Sequence, residues 1–253
     1  MSTLNGLRVT KLEAHIPRSG AWIAYLSLDS ATLPPLGRTV LTIGDLALVG
    51  AVIRTDYDDH PGGGLPMAVV RGGAGWRLPV VRQGRYASSD GVRLSTVLYD
   101  LATQAGEPYA APADTSLGVE YRWEAHTPLA PVHGEDVLAE LITRGYLPTW
   151  RVDPATGTTR FDTWPSIGAA DGRGRVLGRN LARGRRTVGL DVQVAAFLPG
   201  STLEGTTTAR LVLQEDARSL RGLVYAAPTA STVSSSTGAA AGGGAAGAGG
   251  PRT

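Results

Sequence analysis

The sequence predicts a mainly β protein with two short helices. Three observations carry that reading. Apolar residues recur with a period of two over most of the chain. Gly- and Pro-rich turns bound the pieces, with 34 Gly and 16 Pro in 253 residues. Helical spacing occurs in two stretches only. The length is ample for a core that needs no disulfide or metal staple.

The first 86 residues read as β-structure. Leu7 to Ile16 mixes β-branched and polar residues and ends at Pro17. Trp22, Ala24, Leu26 and Leu28 alternate with Ile23, Tyr25 and Ser27, the period of a strand with one buried face. Val40–Ile43 and Leu46–Ile53 flank Gly44-Asp45, a hairpin signal. Met67–Val70 and Trp76–Val81 continue the series, and this number of short strands predicts a small barrel or sandwich.

The period changes after Ser89-Asp90. Leu94, Val97, Leu98, Leu101 and Ala105 fall at helical spacing, with Asp90 as the expected cap and Gly106 as the stop. A second helix is expected over Gly134–Arg144, with Glu135 and Asp136 at its positive end and Gly145 after it. Each helix is followed by β-structure. Leu117–Ala125 alternates. Trp150 and Val152 face Phe161 and Thr163 across the turn Asp153-Pro154-Ala155-Thr156-Gly157. A Gly- and Arg-rich stretch reads as loop up to Arg186. Strands are then expected near Thr187–Phe197, Thr206–Leu213 and Leu220–Ala226. From Ala226 onward the composition is that of a flexible Gly/Ala/Ser tail.

Composition excludes several classes. There is no Cys, so no disulfide framework, Cys-bearing zinc site or thiol nucleophile. No run is long and apolar enough for a membrane span, and MSTLNGLRV has no signal-peptide pattern. The net charge of +2 is too mild to argue for nucleic acid. His15, His60, His126 and His133 lack metal-ligand spacing, and no nucleophile elbow or phosphate loop is present. No cofactor is expected. Glu120, Glu124, Glu135 and Asp136 are the nearest approach to a carboxylate pair for cell-wall cleavage. Trp22, Trp76, Trp123, Trp150 and Trp164 would serve a carbohydrate-binding surface if their rings were exposed. Arg173, Arg175, Arg179, Arg183, Arg185 and Arg186 crowd one segment, with Asp171 the only acid nearby in sequence. No aromatics interleave them, so a solvated loop or a protein interface is favoured over nucleic acid.

The order of elements resembles the baseplate hub proteins of contractile phage tails and the hub region of type VI secretion spike proteins. VTKLEAHIPRSGAWIAYLSLDSA is similar to hub N-termini. RLSTVLYDLATQAGEPY and GEDVLAELITRGYLPTWRVDPATGTTRFDTWP resemble the hub helices, the second with its aromatic strand and hairpin. In the latter, Glu135, Leu138, Leu141, Gly145, Trp150 and Gly157 stand where the pattern expects an acid, core leucines, a stop, a strand aromatic and a hairpin glycine. FLPGSTLEG is similar to a turn of the second hub barrel.

The resemblance implies two small tube-like β-barrels joined by an α/β connection. The expected division is 1–86 (first barrel), 87–168 (connection), 169–225 (second-barrel strands) and 226–253 (tail). It implies a non-enzymatic homotrimer whose ring adapts the sixfold tail tube to a threefold spike, with a distal tail or tube-initiator protein as the alternative. Tail tube and spike proteins are the implied partners, with tape-measure and baseplate wedge proteins next. DNA would transit the lumen without sequence-specific binding. The implied location is the virion baseplate, after assembly in the host cytoplasm. Trp22, Tyr25, Trp123, Trp150 and the six arginines 173–186 are the expected interface residues.

Overall fold

A computed structural model describes residues 1–58, 64–79, 81–123, 131–216 and 219–227. The first six strands are β1 (Ser2–Leu4), β2 (Leu7–Pro17), β3 (Ile23–Leu28), β4 (Gly37–Ile43), β5 (Leu46–Tyr57) and β6 (Pro66–Arg71). They pair in the order β1-β4-β5-β6-β3-β2, and β2 pairs back to β1. The result is a closed six-stranded barrel without a free edge. The alternation read from the sequence fills it: Leu12, Ala14, Ile16, Leu26, Leu28, Leu41, Ile43, Leu48 and Val70 are all buried.

The connection holds β7 (Gly84–Ala87), α1 (Leu94–Ala105), β8 (Glu120–Trp123), α2 (Gly134–Thr143), β9 (Arg151–Val152) and β10 (Thr159–Arg160). β7 pairs with β8, and β9 with β10. The helix stripes are those expected: Leu94, Val97, Leu98 and Leu101 on α1, Val137, Leu138 and Leu141 on α2, all buried. The cap of α1 is a correction. Asp90 does not cap it; Asp114, from the chain beyond the helix, accepts the Ser95 N–H at 3.0 Å. Trp76–Val81 is not a strand either. Residues 74–76 form a 3-10 turn that seats Trp76 in the core, its Nε1 donating to Thr159 Oγ1 at 2.7 Å.

The last strands are β11 (Gly168–Ala169), β12 (Arg175–Asn180), β13 (Arg185–Leu190), β14 (Ser201–Leu203), β15 (Thr206–Glu215) and β16 (Leu220–Ala226). The stretch read as an Arg-rich loop is thus the β12–β13 hairpin. Gly is a weak strand former, but the ladder from β13 to β16 overrides that preference. These strands pair in the order β12-β13-β16-β15-β14-β11, a curled sheet. No ladder joins β11 to β12 among the described residues. Beyond Ala227 the expected tail lies outside the described residues, as do Glu124, His60 and His126.

The two β systems meet through one ladder, β2 against β15, from Leu12↔Glu215 to Pro17↔Arg210. They also share a hairpin. Ser2-Thr3-Leu4-Asn5-Gly6 recurs as Ser201-Thr202-Leu203-Glu204-Gly205. In both copies the fourth and fifth residues have positive φ, 47° and 85° in one, 50° and 72° in the other. That is the backbone of a tight two-residue hairpin turn. Thr3↔Arg8 and Leu4↔Leu7 in the first copy match Thr202↔Thr207 and Leu203↔Thr206 in the second. Register against the next strand slips between Val9 and Lys11 in one, between Thr208 and Arg210 in the other. Reading outward, β2-β3-β6-β5 mirrors β15-β16-β13-β12. A local two-fold axis therefore passes between Ala14 and Leu213, which stand opposite each other.

Candidate assembly interface

The tryptophans expected at the interface are core residues of this chain. Trp22 is 1% exposed and lies flat against backbone: a Cβ on Gly72 would sit 2.2 Å from its Nε1, and one on Gly50 2.8 Å from its ring. Trp123 is equally covered. Its ring packs at a tilt against Tyr86 at 5.4 Å and Tyr121 at 6.3 Å, and its Nε1 donates to the Arg82 carbonyl. Trp150 is buried where its carbonyl accepts the Gly20 N–H at 2.7 Å. Trp76 is buried as well, and Trp164 is packed against the core with Arg151 stacked 5.0 Å over its ring. A sugar-stacking platform needs exposed rings, so the carbohydrate reading fails for these side chains. Tyr25 differs. It is half exposed on the outer wall of the barrel, in a hollow of about 210 Å³ with Met67 and Val69, rimmed by Arg54 and Asp56. His15 meets it edge-on at 6.5 Å.

The six arginines divide into two sets. Arg179 and Arg186 both bind Glu204, in the tight turn of the second hairpin copy. Arg186 Nε lies 2.7 Å from Glu204 Oε2, and its Nη2 donates to Thr206 Oγ1 at 3.2 Å. Hydrogen bonds from Arg179 first, then Arg186, hold the Glu204 carboxyl down at about 2. The Glu204 N–H donates to Asp171 Oδ1 at 3.0 Å. The cluster therefore has a second acid, brought in from the far side of the hairpin. Arg173 donates to Gln193 at 3.1 Å. Arg175, Arg183 and Arg185 make no ion pair among the described residues.

The acids considered for catalysis are not gathered in a cleft among the described residues. Both oxygens of Glu135 are taken, by Arg71 and Arg77, which ties α2 to the end of β6 and the following turn. Asp136 accepts the His133 N–H at the start of α2. Glu120 is exposed on β8. No group of three or more metal-ligating side chains occurs among the described residues, and none of their helices is long and apolar enough to cross a membrane.

No protein-family model matches the chain, and no curated protein matches its sequence. Solved structures do. The 43 kDa tail protein of prophage MuSo2 from Shewanella oneidensis is 12% identical, with 89% of this chain and 96% of that one covered at a TM-score of 0.56. A tail protein from Neisseria meningitidis MC58 is 11% identical, with 90% and 96% covered at 0.57. The chain has the phage tail-protein fold. The E. coli c3393 protein shares it at 8% identity and a TM-score of 0.61, with 90% of this chain and 77% of that one covered. That protein is described as a type VI secretion component with structural similarity to the T4 tail proteins gp27 and gp5. The tail-protein fold thus spans the barrel, the connection and the curled sheet alike.

Proposed function

We propose that this chain is a structural baseplate hub of a phage tail or tail-like particle, three copies forming a ring between the tail tube and the spike. Its division of labour follows the expected segments: the barrel in 1–86, the connection in 87–168, the second β system in 169–225, and 226–253 as a peptide appendage. The observation that carries the reading is the near full-length match in fold to tail proteins, two of which are themselves covered over 96% of their length. Geometry adds to it. Four tryptophans are spent on the core rather than on ligand, and the unspent groups are surface features: Tyr25 with its apolar hollow, and Arg175, Arg183 and Arg185. Such groups suit protein contacts rather than chemistry. The hub acts without catalysis, in the virion, and is assembled in the host cytoplasm.

Light scattering on the purified full chain tests the reading. The hub predicts a particle of three 26.3 kDa copies, and binding to the spike protein made by the same phage. A monomer at high concentration with no spike binding overturns it.

A further inference from the structure

The contact between β2 and β15 has a local two-fold axis and closes on itself. A ring needs something else, a contact between two different surfaces of neighbouring copies. Charge is divided in the way such a contact requires. Residues 87–168 hold eleven acids and five arginines, whereas 169–227 hold nine arginines and five acids.

Most of the acids in the connection are already engaged. Glu135, Glu140, Asp153 and Asp162 pair with arginines. Asp114 and Asp136 hold helix starts, and Asp100 accepts from Tyr86 Oη. Glu120 is exposed on β8 beside Arg85, Arg122 and Arg144, whereas Glu107 faces a more confined cavity. It follows α1 and lines a hollow of about 190 Å³ whose other walls include Gly50, Ala51, Gly73, Ala74 and Gly157. Most of the walls are small residues, so the hollow is a slot with a carboxylate inside. Glu107 Oε1 accepts the Gly75 N–H at 2.5 Å, and no cation pairs with it among the described residues. Burial pushes its pKa up, and the Gly75 N–H and the nearby charge of Arg71 offset that only in part. Arg38 also lines the slot without pairing to it.

The opposite chemistry sits on the turn between β12 and β13. Leu181 there is 79% exposed, the highest value among the exposed large apolar residues. Arg183 and Arg185 follow it, without an ion pair among the described residues, while Arg179 and Arg186 on the flanking strands are fixed by Glu204. The turn is a firm, basic, partly apolar knob.

We propose that the Glu107 slot receives this turn from a second copy of the chain, Arg183 pairing with the Glu107 carboxylate. The contact rests on the ring reading and names the residues that close the ring. Arginine suits the slot because its planar guanidinium can pair with the carboxylate through two parallel bonds.

Sedimentation velocity on the full chain, with circular dichroism as a check on folding, tests it. The wild type sediments as a trimer. Glu107→Gln raises the concentration for half-assembly about tenfold, the scale of one lost charge pair at an interface. Glu107→Arg and Arg183→Glu are each monomeric, and the two together in one chain restore the trimer. Arg38→Ala assembles as well as the wild type or better; weaker assembly there would mean that the visitor is an acid and overturn the assignment. A monomeric wild type overturns the ring reading and this contact with it. A trimeric wild type whose Arg183→Glu variant also stays trimeric overturns the contact alone, and that exposed-turn variant decides the matter if Glu107→Arg misfolds.

Discussion

The barrel and the curled sheet start from the same hairpin and close differently. In the barrel, β4 has seven residues and runs antiparallel to both β1 and β5, so the ring of strands is complete in backbone hydrogen bonds. In the curled sheet the corresponding place is held by β11, two residues long and parallel to β14. The gap beside it is bridged by side chains instead: Asp171 to the Glu204 N–H, and Glu204 to Arg179 and Arg186. Backbone closure is insensitive to salt and pH, whereas closure by exposed charges is sensitive to both. The two systems should therefore respond differently to salt and pH, the barrel little and the sheet's closure more.

Perturbations of the two regions should therefore differ in reach. The largest effect is expected from Trp22→Ala. It removes a buried indole that backbone approaches closely at Gly50 and Gly72, at a cost of about 3–5 kcal/mol in urea unfolding. Next is Asp45→Ala. The β4–β5 turn reaches the second β system there, Asp45 Oδ1 accepting the Val194 and Ala195 N–H groups at 2.7 and 2.9 Å. Losing both bonds to a carboxylate costs about 1.5–3 kcal/mol and should separate the unfolding of the two systems, visible as a broadened transition. Smaller still is Glu204→Gln. Hydrogen exchange should quicken in β12 and β14 while β1–β6 keep their protection.

Acid makes the same cut without mutation. The Glu204 pKa is lowered from 4.5 to about 2, so its contribution is complete above 4.5 and is lost as pH falls towards 2. Exchange in β12 should rise across that window, and 1 M salt near neutral pH should reproduce part of the effect.

Much of the barrel was legible because its strands alternate cleanly. β2, β3 and β6 fall within a residue or two of expectation, and β16 matches Leu220–Ala226. The helices and the Asp153–Gly157 turn were legible for the same reason, since local spacing carries them. Long-range partners were not. Asp114 caps α1 from beyond the helix, β13 makes strands of a Gly/Arg stretch, and Gly50 and Gly72 bury Trp22. Alternation says that a tryptophan has one covered side, but not whether its own chain or a neighbour covers it. Of the expected interface, Tyr25 and three arginines remain available. The STLNG and STLEG repeat was present in the sequence, yet five residues gain meaning only when turn, register and bulge coincide. Glu107 carried no sequence signal, because its burial is a property of the surrounding slot.

Electron microscopy of the purified full chain tests the central claim most directly. Class averages should show rings with three-fold symmetry, each subunit contributing two β systems to the circumference. Six-fold rings would place the chain with distal tail or tube-initiator proteins, and isolated monomers under assembly conditions would contradict the hub account.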